Sequence, residues 1–270
     1  MRIRKLTKVE YHRICNLLKI DSKKDKEATI FLNSKLNSLF VSQAFDELKK
    51  LLLDKDVFIY AAGPSLPQSI QITKQLILEY RKNIVVIAVD GATKALLEQK
   101  VPIDIIVSDL DGSQKAIIDS YQNNHSFLII HAHGDNSNKI TEFEDHIGKK
   151  RIIGSTQLKN VRNVKNFGGF TDGDRAVYVA ANFKAHRIFL FAFDFGDIIG
   201  KYSKPEEFLT DEPINERKKI KLQIAKKLLE KVPKRFKNTF FFNCTQKGEK
   251  IASISNISYE KLIDLLKEKT

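Results

Sequence analysis

Cysteine is nearly missing from this chain: Cys15 and Cys244 are the only two among 270 residues, and they form no CxxC pair. That excludes a disulfide framework and a cysteine-based zinc site, and it fits a reducing cytosol. Long apolar runs are also missing. Stretches such as IVVIAV and IFLFAF stop at about six residues, where a membrane span needs about 20. The start, MRIRKLTKVEYHRIC, is basic but lacks the apolar centre of a signal peptide. A soluble, cytoplasmic protein with no membrane partner is expected. Acidic residues are in deficit, 33 Asp and Glu against 46 Lys and Arg, leaving a net charge of +13. Such a balance draws nucleic acid, an anionic surface or a small polyanionic substrate. Much of the excess lies in NERKKIKLQIAKKLLEKVPKRFK, residues 215–237, where Ile220, Ile224, Leu228 and Leu229 recur at helical spacing between lysines. This reads as a solvated helix face over an apolar stripe. Neither aromatics interleaved with the lysines nor a known binding module is visible, so no nucleic-acid partner is expected.

What is present is enough apolar material, 42% of the residues, for a large core. Residues 1–53 contain no Gly or Pro and place Phe31, Leu32, Leu36, Leu39, Phe40, Phe45, Leu48 and Leu52 at helical spacing. They read as a helical N-terminal segment appended to an α/β domain over residues 54–270. From residue 56 the texture changes. DVFIYAAG, NIVVIAVDG, IDIIVSDLDG, SFLIIHAHGD and HRIFLFAFDFG are short apolar runs, each stopping at a Gly/Asp cluster. Near-continuous apolar strands belong to a sheet covered on both faces. Helical patterns lie between them, one opening on Thr171 and Asp172 as N-cap candidates. Alternation of this kind predicts a doubly wound, mostly parallel, Rossmann-like α/β sheet, whose ligands bind outside the carboxyl edge. Residues 200–215 read as a surface loop.

The strand ends carry the chemistry. Gly63, Pro64 and Ser65 lead from a strand into a helix, a turn that either simply reverses the chain or cradles a phosphate on free N–H groups. Asp90 and Gly91 form a similar Asp-Gly stop. In SDLDG, Asp109 and Asp111 stand at i and i+2, and on a strand leaving the sheet they point the same way. Their repulsion is relieved by a cation, and hard oxygen ligands favour Mg²⁺. HAHGDN brings His131, His133, Asp135 and Asn136 to the next strand end. HxHxD is also a zinc-ligand spacing, but the second histidine of a hydrolase pattern is replaced by Asn136. In GGFTDGDRA, Asp172 and Asp174 complement a helix dipole, whereas Arg175 at the same helix start is unfavourable unless an anion offsets it, which makes it a candidate phosphate ligand.

Taken in order, GPSL, VDGAT, SDLDG, HAHGDN, GSTQ, GGFTDGDRA and FDFG resemble the archaeal 6-hydroxymethyl-7,8-dihydropterin pyrophosphokinase family over roughly residues 57–255. That family is related to the catalytic domain of thiamine pyrophosphokinase. The resemblance implies transfer of the diphosphate of ATP to a reduced pterin, with Mg²⁺ as cofactor and ATP and the pterin as partners. It implies an acidic centre of Asp90, Asp109, Asp111 and Asp135, with Asp109, Asp111 and Asp135 on the metal. Asp135 or His133 would take the alcohol proton or assist the metal. Gly63, Pro64, Ser65, Gly91 and Arg175 would hold phosphates. Asp172, Asp174, Asn136 and Gln157 would offer polar contacts to the pterin, with Phe170 or Phe195 stacking on its ring. Thiamine pyrophosphokinase and a non-catalytic nucleotide-binding relative are the alternatives, and HAHGDN favours the pterin enzyme over the thiamine one. The oligomeric state is left open, a homodimer among the expectations.

Overall fold

The computed structural model describes residues 5–204 and 206–268. Residues 1–4 of the expected helical segment, Pro205 of the expected loop, and residues 269 and 270 of the expected α/β domain lie outside them.

The apolar runs form strands because side chains on both faces are buried. The first seven are β1 (Asp56–Tyr60), β2 (Ile84–Val89), β3 (Ile105–Ser108), β4 (Phe127–His131), β5 (Ile152–Ser155), β6 (Val164–Lys165) and β7 (Arg187–Phe191). β8 (Ile198–Ile199) and β9 (Glu212–Pro213) make a separate antiparallel pair, and β10 (Phe240–Asn243) and β11 (Ser255–Asn256) return to the main sheet. Its order is β11-β10-β7-β1-β2-β3-β4-β5-β6, and every pairing in it is parallel. Tyr60 lies level with Ala88 on one side and Phe191 on the other, so the carboxyl ends of the three central strands coincide.

The helices are α1 (Lys8–Leu18), α2 (Ser22–Lys35), α3 (Ser38–Leu52), α4 (Leu66–Glu79), α5 (Ala92–Glu98), α6 (Gln114–Asn123), α7 (Ser137–Glu142), α8 (Asp172–Asn182), α9 (Glu216–Leu229), α10 (Val232–Arg235) and α11 (Tyr259–Lys267). Phe58, Tyr60, Val86 and Ile106 bury one sheet face under α4 to α7 and α11. Val57, Ile59, Ile87 and Val107 bury the other under α1, α3, α8 and α9. After β6 the chain crosses by α8 and re-enters beside β1. The small residues Ala176 and Ala180 let α8 approach β1 to β3 closely. The strand order thus reverses between β1 and β7, the switch point where doubly wound sheets open a crevice.

The N-terminal segment is helical, as its spacing predicts, but it is not an appendage. Asp21 and Asn37 break it into separate helices by accepting from the N–H groups of Lys23 and Leu39, each at 2.9 Å. Leu32, Leu36 and Val41 then join the core on one sheet face, and Ala44, Leu48 and Leu52 that on the other. The reason is positional: α2 and α3 lie on β5, a part of the sheet the later helices leave uncovered.

Candidate active site

At the switch point the carboxyl ends of the strands open into a cavity of about 520 Å³, within the usual range for small-molecule sites. Asp90, Asp109, Asp111, His133, Asp135, Gln157 and Asp172 all line it, as do Gly63 and Pro64. Strained backbone occurs at this edge. Asp90 (φ 45°), Leu110 (φ 68°), Ala192 (φ 59°) and Phe195 (φ 52°) occupy the left-handed region without being glycine, which is tolerated where surrounding structure enforces it.

Asp109 and Asp111 converge, but not by alternation along a strand. β3 ends at Ser108, and the Asp111 N–H donates to Asp109 Oδ1 at 3.1 Å across the left-handed Leu110. This is an Asx turn, which points both carboxylates into the same space. Asp109 Oδ2 accepts from His133 Nε2 at 3.3 Å. Burial pushes the Asp109 carboxyl up, but the His133 hydrogen bond and the Asp111 N–H outweigh it and hold the group below the usual carboxylate range. Asp90 Oδ1 accepts from Ser108 Oγ and from the Gly112 N–H at 3.0 Å. Burial, with the Asp109 charge added, pushes Asp90 up to about 7.

Asp172 joins this carboxylate set. Burial raises the Asp172 carboxyl well above its ordinary range, and the charges of Asp109, Asp90 and Asp111 raise it further. Its Oδ1 is buried without a hydrogen-bond partner. Asp135 lines the cavity but is exposed, with its N–H on His133 Nδ1 at 3.3 Å. An all-oxygen set of mutually repelling carboxylates, one oxygen of it without a hydrogen bond, fits a hard divalent cation. Among the described residues no three His, Cys, Asp or Glu side chains form a ready-made metal cage. Mg²⁺ needs none, since it binds through one or two carboxylates and completes its shell with water and phosphate.

Several expected contacts have other duties. Asn136 is buried: its amide donates to the Asp109 and His131 carbonyls at 2.8 and 2.6 Å and accepts from the His133 N–H at 3.0 Å, so it braces the loop instead of meeting a ligand. Asp174 lines the cavity, yet its carboxylate reaches back to the N–H groups of Phe170 and Thr171, each at 2.7 Å, capping α8. Arg175 is fully buried, outside the cavity lining, with Nη2 on the Phe170 carbonyl at 2.9 Å and Nε 3.8 Å from Asp172 Oδ1. It is a counter-charge beneath the carboxylates, not an exposed phosphate ligand. Ser65 donates from both N and Oγ to Asp194 Oδ2, at 3.2 and 3.0 Å. The anion at that helix start is therefore the protein's own carboxylate. Gly63 is required there because a Cβ would overlap Asp194, and its N–H is bonded to the Ala192 carbonyl. Gly91 begins α5 and does not reach the cavity lining, whereas Phe170 and Phe195 are both in it.

Sequence reasoning missed three groups. Asp25, from α2, is buried at the cavity wall and accepts from Tyr11 Oη, Gln157 Nε2 and, at 2.7 Å, the Gly134 N–H. Asp194 lines the cavity beside Pro64. Lys218 and Lys221 of α9 line it as well. FDFG was a visible signal for Asp194; nothing local marks Asp25 or separates two lysines from their neighbours.

The Asp90 geometry predicts a pH signature for the metal-free protein. An acid whose folded value is raised contributes stability fully below its unfolded value, near 4, and loses it as pH rises through about 7. Because His131 is buried and held neutral, with the opposite sign, the comparison must be with a variant that keeps His131. Asp90→Asn should gain about 2 kcal/mol over wild type between pH 5 and pH 8 in urea titrations, discounted for partial exposure. A pH-independent difference would refute the crowding.

Residues 29–200 match the family described as 6-hydroxymethylpterin diphosphokinase MptE-like. The chain belongs to this family. The match begins within α2, so the N-terminal helices are in part shared with MptE-like proteins. Proteins named 6-hydroxymethyl-7,8-dihydropterin pyrophosphokinase resemble this MptE-like chain over most of their length. That of Methanocaldococcus jannaschii is 41% identical over 225 residues, 81% of this chain and 91% of its own. That of Pyrococcus furiosus is 36% identical over 226 residues, 82% and 90% respectively, and that of Methanothermobacter thermautotrophicus 35% identical over 220 residues, 82% and 90%. In architecture the chain also resembles the Maf glycosyltransferase of Magnetospirillum magneticum AMB-1, with a TM-score of 0.53 at 15% identity, covering 80% of this chain and 37% of that one. That likeness concerns the fold alone. Among the described residues no helix is long and apolar enough to cross a membrane.

Proposed function

We propose that the protein transfers the diphosphate of ATP to the hydroxymethyl oxygen of 6-hydroxymethyl-7,8-dihydropterin, in the biosynthesis of a reduced-pterin cofactor in the cytoplasm. The observation that carries this reading is the convergence of Asp90, Asp109, Asp111 and Asp172 on one cavity, in a chain whose relatives bear the pterin pyrophosphokinase name. The alcohol oxygen forms a bond to the β-phosphorus while the bond from that phosphorus to the α,β-bridging oxygen breaks. AMP departs with the bridging oxygen, and the alcohol proton passes to the Asp135 carboxylate. Asp109 and Asp111 would hold Mg²⁺, which when bound neutralises charge on the phosphates.

The chain's own part is positioning. His133 accepts the Asp135 N–H at Nδ1, so Nε2 carries the proton and donates it to Asp109. With both ring nitrogens engaged, His133 orients Asp109, which leaves Asp135 as the base of the two candidates. Phe170 and Phe195 offer apolar walls for a flat ring. Incubation with ATP, Mg²⁺ and either the pterin or thiamine tests the reading: AMP should form in step with pterin diphosphate, and thiamine should give none. AMP formed only with thiamine transfers the assignment to that acceptor, and nucleotide binding with neither product supports a non-catalytic role.

A further inference from the structure

A triphosphate in this cavity needs cations, and the expected ones are elsewhere. Arg175 lies outside the lining, Ser65 is bonded to Asp194, and the Gly63 N–H to Ala192. The lining holds other cations, among them two lysines of α9. α9 is capped by Asn215, whose side chain accepts from the Lys218 N–H at 2.9 Å. Lys218 and Lys221, at i and i+3, share one face of the helix and both line the cavity. Of the other basic residues on α9, Lys219 pairs with Asp197 at 2.7 Å, Lys226 pairs with Glu249 at 2.6 Å, and Arg217, which also lines the cavity, donates to the Leu18 carbonyl at 2.8 Å. Lys218 Nζ has one weak neutral contact, Ser203 Oγ at 3.4 Å.

Burial and the Lys221 charge lower the Lys218 ammonium below its ordinary value, while Asp109, Asp90 and Asp172 pull it back up. Lys218 therefore feels the carboxylates that share the cavity. Among the described residues neither lysine forms an ion pair with a carboxylate. Two lysines sharing one cavity with four carboxyl groups make an arrangement completed by a bound polyanion with its metal on the carboxylate side.

We propose that Lys218 and Lys221 bind the β- and γ-phosphates of ATP, the two that are transferred. The proposal rests on the functional reading above and assigns the anion-binding half of the same site. AMP, which carries neither phosphate, should not depend on the pair.

The test is calorimetric titration, with Mg²⁺, of α,β-methylene ATP, inorganic pyrophosphate and AMP into wild type and Lys218→Gln/Lys221→Gln. The exposed Lys227→Gln serves as a control of equal charge change per site. In the double variant the analogue and pyrophosphate should bind at least about 100-fold more weakly, two charge-assisted contacts being lost, with AMP within about twofold. Lys218→Arg/Lys221→Arg should restore part of the loss. Equal weakening of AMP, an unchanged analogue affinity, or the same loss in Lys227→Gln overturns the assignment. Wild type that binds pyrophosphate through the pair but not the nucleotide analogue would overturn the ATP reading and leave a lysine-held anion site. If the double variant does not fold, Lys221→Gln alone carries the comparison, with about a tenfold loss expected.

Discussion

Replacing Asp109 or Asp111 by Asn should lower AMP release by about 10³-fold or more while leaving the unfolding transition in place. Neutralising charge on a transferring phosphoryl group is worth several kcal/mol, at about 1.4 kcal/mol per tenfold in rate. Asn keeps the shape of Asp and one acceptor oxygen, so at position 109 the Asp111 N–H retains its partner while His133 Nε2 loses its carboxylate oxygen. Removing a charge from a set in which Asp90 and Asp172 are already driven upward should leave the metal-free variant as stable as wild type, or more so. Activity and stability thus move in opposite directions, a combination a purely structural role would not produce. The measurement is AMP formation under saturating substrates alongside a denaturant melt. Turnover within tenfold of wild type in both variants would remove Asp109 and Asp111 from the metal site.

Deleting residues 1–53 should abolish the folded state. Tyr11, Ile14, Leu18, Leu32, Leu36, Val41, Leu48 and Leu52 are all buried against the sheet or its helices. At about 1.5–3 kcal/mol for each of these eight side chains, the burial lost is about 12–24 kcal/mol. That matches or exceeds the whole stability of a typical domain, about 5–15 kcal/mol. The deletion also removes Asp25, leaving the Gly134 N–H and the Gln157 amide without their acceptor at the cavity wall. Residues 54–270 expressed alone should show no cooperative unfolding by circular dichroism. A cooperative transition with the cavity intact would restore the view of the segment as an appendage.

The contrast between Asp172 and Asp174 shows how far local reading reaches. Two residues apart in one helix start, both suit the dipole, and the same pattern describes both. Asp174 has three donors from its own turn, whereas Asp172 faces carboxylates that arrive from β2 and β3. No feature within the turn distinguishes them. Ser65 repeats the lesson: its helix start was legible as an anion site, but the anion is Asp194, 129 residues away in sequence.

The alternation of apolar runs with helical stretches was enough to determine a parallel sheet, and the Gly/Asp stops were enough to place Asp90, Asp109 and Asp111 at its carboxyl edge. Those features follow from side-chain periodicity and from backbone breaks that act over a few residues. The tertiary structure alone decided that Asp25 comes in from the first helices, that Asp172 joins the carboxylates while Asp174 caps α8, and that Lys218 and Lys221 line the same cavity. Such choices depend on which distant segments meet, and long-range contact leaves no period in the chain for a local pattern to reveal.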